Sequence, residues 1–146
     1  MEREKELTAP CGLDCFNCQI HEDNLTEGFA LMMSEKTGVP LEAISCKGCR
    51  QQDGKHWHLP PEGCATLICA KEKGVGFCCD CDDFPCMLLA PIADGAERFP
   101  HNLKVFNLCR IKEVGIERWI EDAGEIRKNY FSNQFLFNWF WLSLYF

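Results

Sequence analysis

Twelve cysteines among 146 residues, several of them in close C-x2-C pairs, and apolar stripes of helical period beyond residue 84 predict a small α-rich, metal-stabilised domain. Cysteine-bearing loops come first and a helical C-terminal half follows. An α+β arrangement is the alternative, although no alternating strand pattern of useful length occurs before residue 131. The chain length suits a single cysteine-rich domain, here set at residues 1–130, with an aromatic uncharged tail at 131–146. The hydrophobic fraction of 47% includes the cysteines. Thiolates that hold metal are not ordinary core, so metal is expected to supply part of the folding energy.

The elements follow in order. Residues 1–10 form a charged lead. A helix is expected from about Leu25 to Lys36, because Leu25, Phe29, Met32 and Met33 keep one stripe. Asn24 with Glu27 three residues later resembles a capping box, and Gly38-Val39-Pro40 stops the helix. Residues 50–86, rich in Gly and Pro between cysteines, are expected to be mostly loop. Pro85 suits a first helical position, with CMLLA after it. Asn102 is a candidate cap for a helix carrying Leu103, Phe106, Cys109 or Arg110, and Val114. Gly115 breaks the pattern, and Ile116, Trp119, Ile120 and Ala123 form a further stripe.

The last stretch, FSNQFLFNWFWLSLYF, holds eight of the 17 aromatic residues and no charge. Its apolar-rich part, 135–146, would reach about 18 Å as a helix, short of the roughly 30 Å hydrocarbon core, so no transmembrane span is expected. Its expected roles are a core or homodimer-forming segment, a surface for an unknown protein partner or a membrane surface, or a non-native tail.

The formal net charge is −7. Two zinc sites of four thiolates, each net −2, would take it to about −11. Such a chain repels phosphate backbones, so nucleic acid is not an expected partner. The N-terminus MEREKELTAP lacks an apolar signal stretch, and close C-x2-C pairs suit metal better than disulfides. A cytoplasmic location is the corresponding expectation.

The stretch CGLDCFNC places Cys11, Cys15 and Cys18 at i, i+4 and i+7. A helix would separate the outer Cα atoms by about 10.5 Å. Sulfurs on one tetrahedral zinc lie only about 3.7 Å apart, given Zn–S near 2.3 Å. A shared centre therefore requires the segment to wrap as a loop or distorted turn, which Gly12, Asp14 and Asn17 permit. Cys46-Lys47-Gly48-Cys49 is a strong knuckle signal, with glycine taking a positive φ so that backbone N–H groups face sulfur. Cys78 and Cys81 form another pair, and Cys64 and Cys69 a looser one. Cys86 follows DDFP, where a helix start would favour thiolate. By spacing, the first expected site is Cys46, Cys49, Cys78 and Cys81. The second is Cys11, Cys15 and Cys18 with Cys64, Cys69 or Cys86. Cys79 is expected to point away from the metal, and Cys109 to be a small buried hydrophobe. His56 and His58 are secondary ligand candidates; His21 and His101 read as surface or capping residues.

These same residues carry a resemblance. CGLDCFNC, CKGC and CAKEKGVGFCCDCDDFPC resemble a family of small cysteine-rich bacterial and archaeal proteins known as domain of unknown function 3795. The resemblance spans about residues 10–121. It implies a metal-binding, zinc-binding, cytoplasmic protein with no known reaction. By motif it carries over Cys11, Cys15, Cys18, Cys46, Cys49, Cys64, Cys69, Cys78, Cys81 and Cys86. Cys79 is a departure, and the aromatic tail matches nothing in the family. Radical S-adenosylmethionine enzymes resemble CGLDCFNC in spacing only. They set that triad in a large barrel of alternating strands and helices, which the 128 residues after Cys18 lack.

No catalytic constellation stands out, so the reading leans away from an enzyme. The first functional expectation is a structural-zinc binding or adaptor module holding two zinc ions. The alternatives are an iron–sulfur protein with a 4Fe–4S cluster, in electron transfer or sensing, and a thiol-redox or metal-handling protein.

Overall fold

The computed structural model describes residues 1–132. The expectations for the aromatic tail fall largely on 133–146, outside the described residues. Helices dominate: α1 (Glu2–Glu6), α2 (Glu27–Thr37), α3 (Ala65–Glu72), α4 (Lys104–Val114) and α5 (Ile116–Phe131), joined by loops and short 3-10 turns. Extended pairing among the described residues is limited to two isolated bridges, Thr8 with Asp14 and His21 with Cys46. The α+β alternative thus finds no sheet there.

The charged lead is not a free tail. It forms α1, and Leu7, Thr8 and Ala9 behind it are buried. Helix α2 begins slightly later than the capping-box reading placed it. Thr26 is the cap, its Oγ1 accepting from the Phe29 N–H at 3.3 Å. Asn24 instead donates its side-chain amide to the Phe16 and Cys18 carbonyls. Gly38, at φ 71°, ends the helix as expected. The loop reading of 50–86 missed α3. Thr66, Leu67 and Ala70 are its buried face, a 3.6-residue pattern hidden among residues taken only as ligands and linkers.

Pro85 does not start a helix. It follows a cis peptide bond to Phe84, and only a 3-10 turn, Met87–Leu89, comes after it. Cys86 therefore has no helix dipole to favour its thiolate. In α4 the inward stripe is Asn107, Leu108 and Ile111, with Leu103 just ahead of it, while Cys109 is exposed rather than buried. Asn102 pins the Ile92 backbone instead of capping. Gly115 breaks the chain between α4 and α5 at φ 84°, and Trp119 and Ala123 face inward as the stripe required.

The core lies between the α4–α5 hairpin and the first cysteine motif. Trp119, only 1% exposed, packs with Leu108, Ile111, Ala123, Ala9, Cys11 and Cys79, and Phe16 meets it edge-on at 6.0 Å. Cys79 thus points away from its flanking pair, into apolar core. Gly12 sits against α4 at φ +83°; Asn107 donates to its carbonyl at 2.8 Å. A Cβ there would lie 2.9 Å from Leu108 Cγ and 3.0 Å from the Lys104 carbonyl. Gly12→Ala is expected to cost about 2–4 kcal/mol in urea denaturation, from a left-handed φ and overpacking together. A loss under about 1 kcal/mol would mean that this loop does not bear on α4. No helix among the described residues is long and apolar enough to cross a membrane.

Candidate metal centres

Each cluster is built by local backbone. In the first, the segment after Gly12 turns rather than forming an α-helix. Cys15–Asn17 is one 3-10 turn, and Cys18 leaves it extended. Cys46 N–H then donates to the Ile20 carbonyl and Glu22 N–H to the Cys46 carbonyl, both at 2.8 Å. This parallel contact lays the Cys46–Cys49 knuckle beside the Cys15–Cys18 turn. Gly48, at φ 90°, gives its N–H to Cys46 Sγ at 3.3 Å, the expected knuckle bond. The Cys15 thiol is pushed well up, chiefly by its hydrogen bond with Cys49 and then by burial. Burial raises Cys46 to about 11, with Cys15 and Cys18 adding to it.

Cys11 and Cys64 border this group. Burial raises Cys11 to about 12, and Cys15 and Cys64 are among the charges it feels. Cys64 is tied in by its N–H to the Gly54 carbonyl at 3.0 Å, while Gly54 N–H donates to the Cys49 carbonyl at 2.7 Å.

The second cluster gathers from three segments. Cys69 lies on α3, Cys78 and Cys81 flank a 3-10 turn, and Cys86 precedes the Met87–Leu89 turn. All four line one cavity of about 20 Å³. Burial, then Cys86 and Cys69, raise Cys78 to about 11. Lys73 stands on the same wall, one helical turn after Cys69. It pairs with Asp83, and that carboxylate, followed by the Cys81 sulfur, holds its ammonium above the ordinary lysine range.

The structure brings the pairs together differently from the spacing. Cys46 and Cys49 lie with Cys15 and Cys18, not with Cys78 and Cys81. The latter lie with Cys69 and Cys86. Among the described residues, no three Cys, His, Asp or Glu side chains are already arranged as a finished ligand set. The donor chemistry and the room do fit zinc. Thiols are zinc donors, and Cys69, Cys78, Cys81 and Cys86 line a cavity that exceeds the 10–15 Å³ or so that one water needs.

The two candidate histidines lie against each other. His56 Nδ1 and His58 Nδ1 face each other at 2.6 Å, bonded through a single proton. His56 Nε2 is also within 3.1 Å of the Ser45 carbonyl. His21 is no surface residue; it is 3% exposed. Its Nδ1 accepts from Asp23 N–H, and its backbone pairs with Cys46, so it props the knuckle.

Two further residues escaped sequence reasoning. Arg50, next to Cys49, donates to the Thr8 carbonyl at 2.8 Å and the Gly76 carbonyl at 2.7 Å, with its guanidinium 5.3 Å over Phe77. It ties the first knuckle to the loop before Cys78. Asp14, inside CGLDC, is 2% exposed; it pairs with Arg127 of α5 and accepts from the Asn17 amide, both at 3.0 Å. Burial raises its carboxyl while Arg127 opposes that rise. The i, i+4 spacing of Cys69 and Lys73 was a readable signal; Arg50 and Arg127 had none.

A family model described as a protein of unknown function (DUF3795) matches residues 7–91. The match takes in all ten candidate ligands and ends before α4, earlier than the resemblance to residue 121 implied. Comparison with curated proteins and with solved structures finds no significant match to either.

Proposed function

The chain belongs to the DUF3795 family, and from that premise we propose that it is a zinc-stabilised binding module with two structural centres of four cysteines each. One is Cys15, Cys18, Cys46 and Cys49; the other is Cys69, Cys78, Cys81 and Cys86. The observation that carries this is the cavity of about 20 Å³ walled by four cysteines from three separate segments. Four thiolates close a zinc site and leave no position for water or substrate, which makes it structural rather than catalytic. With each centre net −2, the loaded surface is acidic, and the partner it suits is a protein with basic groups rather than nucleic acid. The module is read as cytoplasmic.

Elemental analysis of anaerobically purified chain tests this. Two zinc ions per chain are expected, and fewer than one would sink the reading. A second reading has one specific support: Cys11 and Cys64 bring the thiols near the first centre to six. A 4Fe–4S cluster there would show as about four irons per chain in the same measurement.

A further inference from the structure

The two proposed centres differ in their surroundings. At the first, the adjacent Arg50 is committed to two backbone carbonyls. At the second, a lysine shares the cavity wall with the four sulfurs. Lys73 is the C-cap residue of α3, so the helix that presents Cys69 also fixes the base of the lysine stem. Its side chain is 40% exposed and paired with Asp83, on the wall of the cavity that the four cysteines line. An ammonium bonded to a metal thiolate offsets charge that four sulfurs and one divalent ion leave at −2. A carboxylate on the same ammonium takes part of that offset away.

Resting on the two-centre reading, we propose that Lys73 is the counter-cation that retains the ion at Cys69, Cys78, Cys81 and Cys86, and that Asp83 competes with the cluster for it. Lys73 is a positioning and charge-balancing residue, not a ligand. An outer partner of this kind is worth about 10–100-fold in metal affinity. The pair therefore tunes how readily the second centre gives up its ion, while the first is untouched.

The opposed roles give variants of opposite sign. A lysine that served only a surface ion pair with Asp83 would make K73Q and D83N alike, since each removes the same pair. The full chain, loaded with zinc, is challenged with a chromogenic chelator, and the release phase lost in Cys81→Ser is assigned to the second centre. K73Q is expected to speed that phase about tenfold or more and leave the other unchanged. K73R should stay close to wild type, and D83N should slow the phase. In the cobalt-loaded chain, the thiolate-to-cobalt charge-transfer band should move in K73Q and not in K73R. K73Q and D83N accelerating release equally, or K73Q leaving a zinc-loaded chain unchanged, overturns the inference alone. A wild-type chain that holds no zinc overturns the metal reading and this inference with it.

Discussion

Cys18→Ser and Cys46→Ser are expected to cost the chain the same zinc ion. Each single variant should retain one ion of two, and the double variant Cys18→Ser/Cys46→Ser should also retain one. Cys46→Ser/Cys81→Ser should retain none. The reason lies in the backbone: the Ile20–Cys46 and Cys46–Glu22 hydrogen bonds bring the 46–49 knuckle to the 15–18 turn. The spacing-based grouping predicts the reverse, with Cys46→Ser/Cys81→Ser keeping one ion and Cys18→Ser/Cys46→Ser keeping none. Metal counting thus decides between the two groupings directly. The effect on stability should be the largest of any substitution in the chain. Structural zinc sites contribute on the order of 10 kcal/mol of binding free energy that is also folding free energy, comparable with the whole stability of a small domain. Removal of both ions by a strong chelator should therefore abolish the cooperative thermal transition. An unchanged transition after verified zinc loss would sink the structural role.

Asp14→Ala is expected to cost about 3–5 kcal/mol in urea denaturation of the zinc-loaded chain. The carboxylate is buried, and its removal leaves the Arg127 guanidinium, 17% exposed, without its ion partner and the Asn17 amide without its acceptor. The loss falls on the seam between α5 and the loop carrying the first cysteines. Zinc content is measured alongside. A loss of stability with both ions retained assigns the effect to the ion pair, whereas a cost under about 1 kcal/mol would show that the pair contributes no more than a surface bridge.

Features decided within a few residues were legible in the sequence. The Cys46–Cys49 knuckle, the stop at Gly38, the break at Gly115 and the inward face at Trp119 and Ala123 each depend on neighbours no more than about four positions away. Helix α3 was missed although its period was present, because its cysteine was weighed as a ligand and its buried Thr66, Leu67 and Ala70 were not. The start of α4 was misread because the Asn102 side chain had a remote competitor, the Ile92 backbone, that no local rule exposes.

By itself, then, the sequence showed ten cysteines in closely spaced sets within the matched family region, helical stripes realised in α4 and α5, and glycine stops at Gly38 and Gly115. It could not determine which sets meet. Loop-closure entropy grows only as the logarithm of loop length, so joining Cys18 to Cys46 costs nearly the same as joining Cys49 to Cys78. Tertiary structure decided that choice through contacts worth more than the difference: the backbone pairing at Ile20 and Cys46, the buried face of α3 that brings Cys69 and Lys73 to Cys78 and Cys81, and Arg50 and Asp14 fastening the loops to their neighbours.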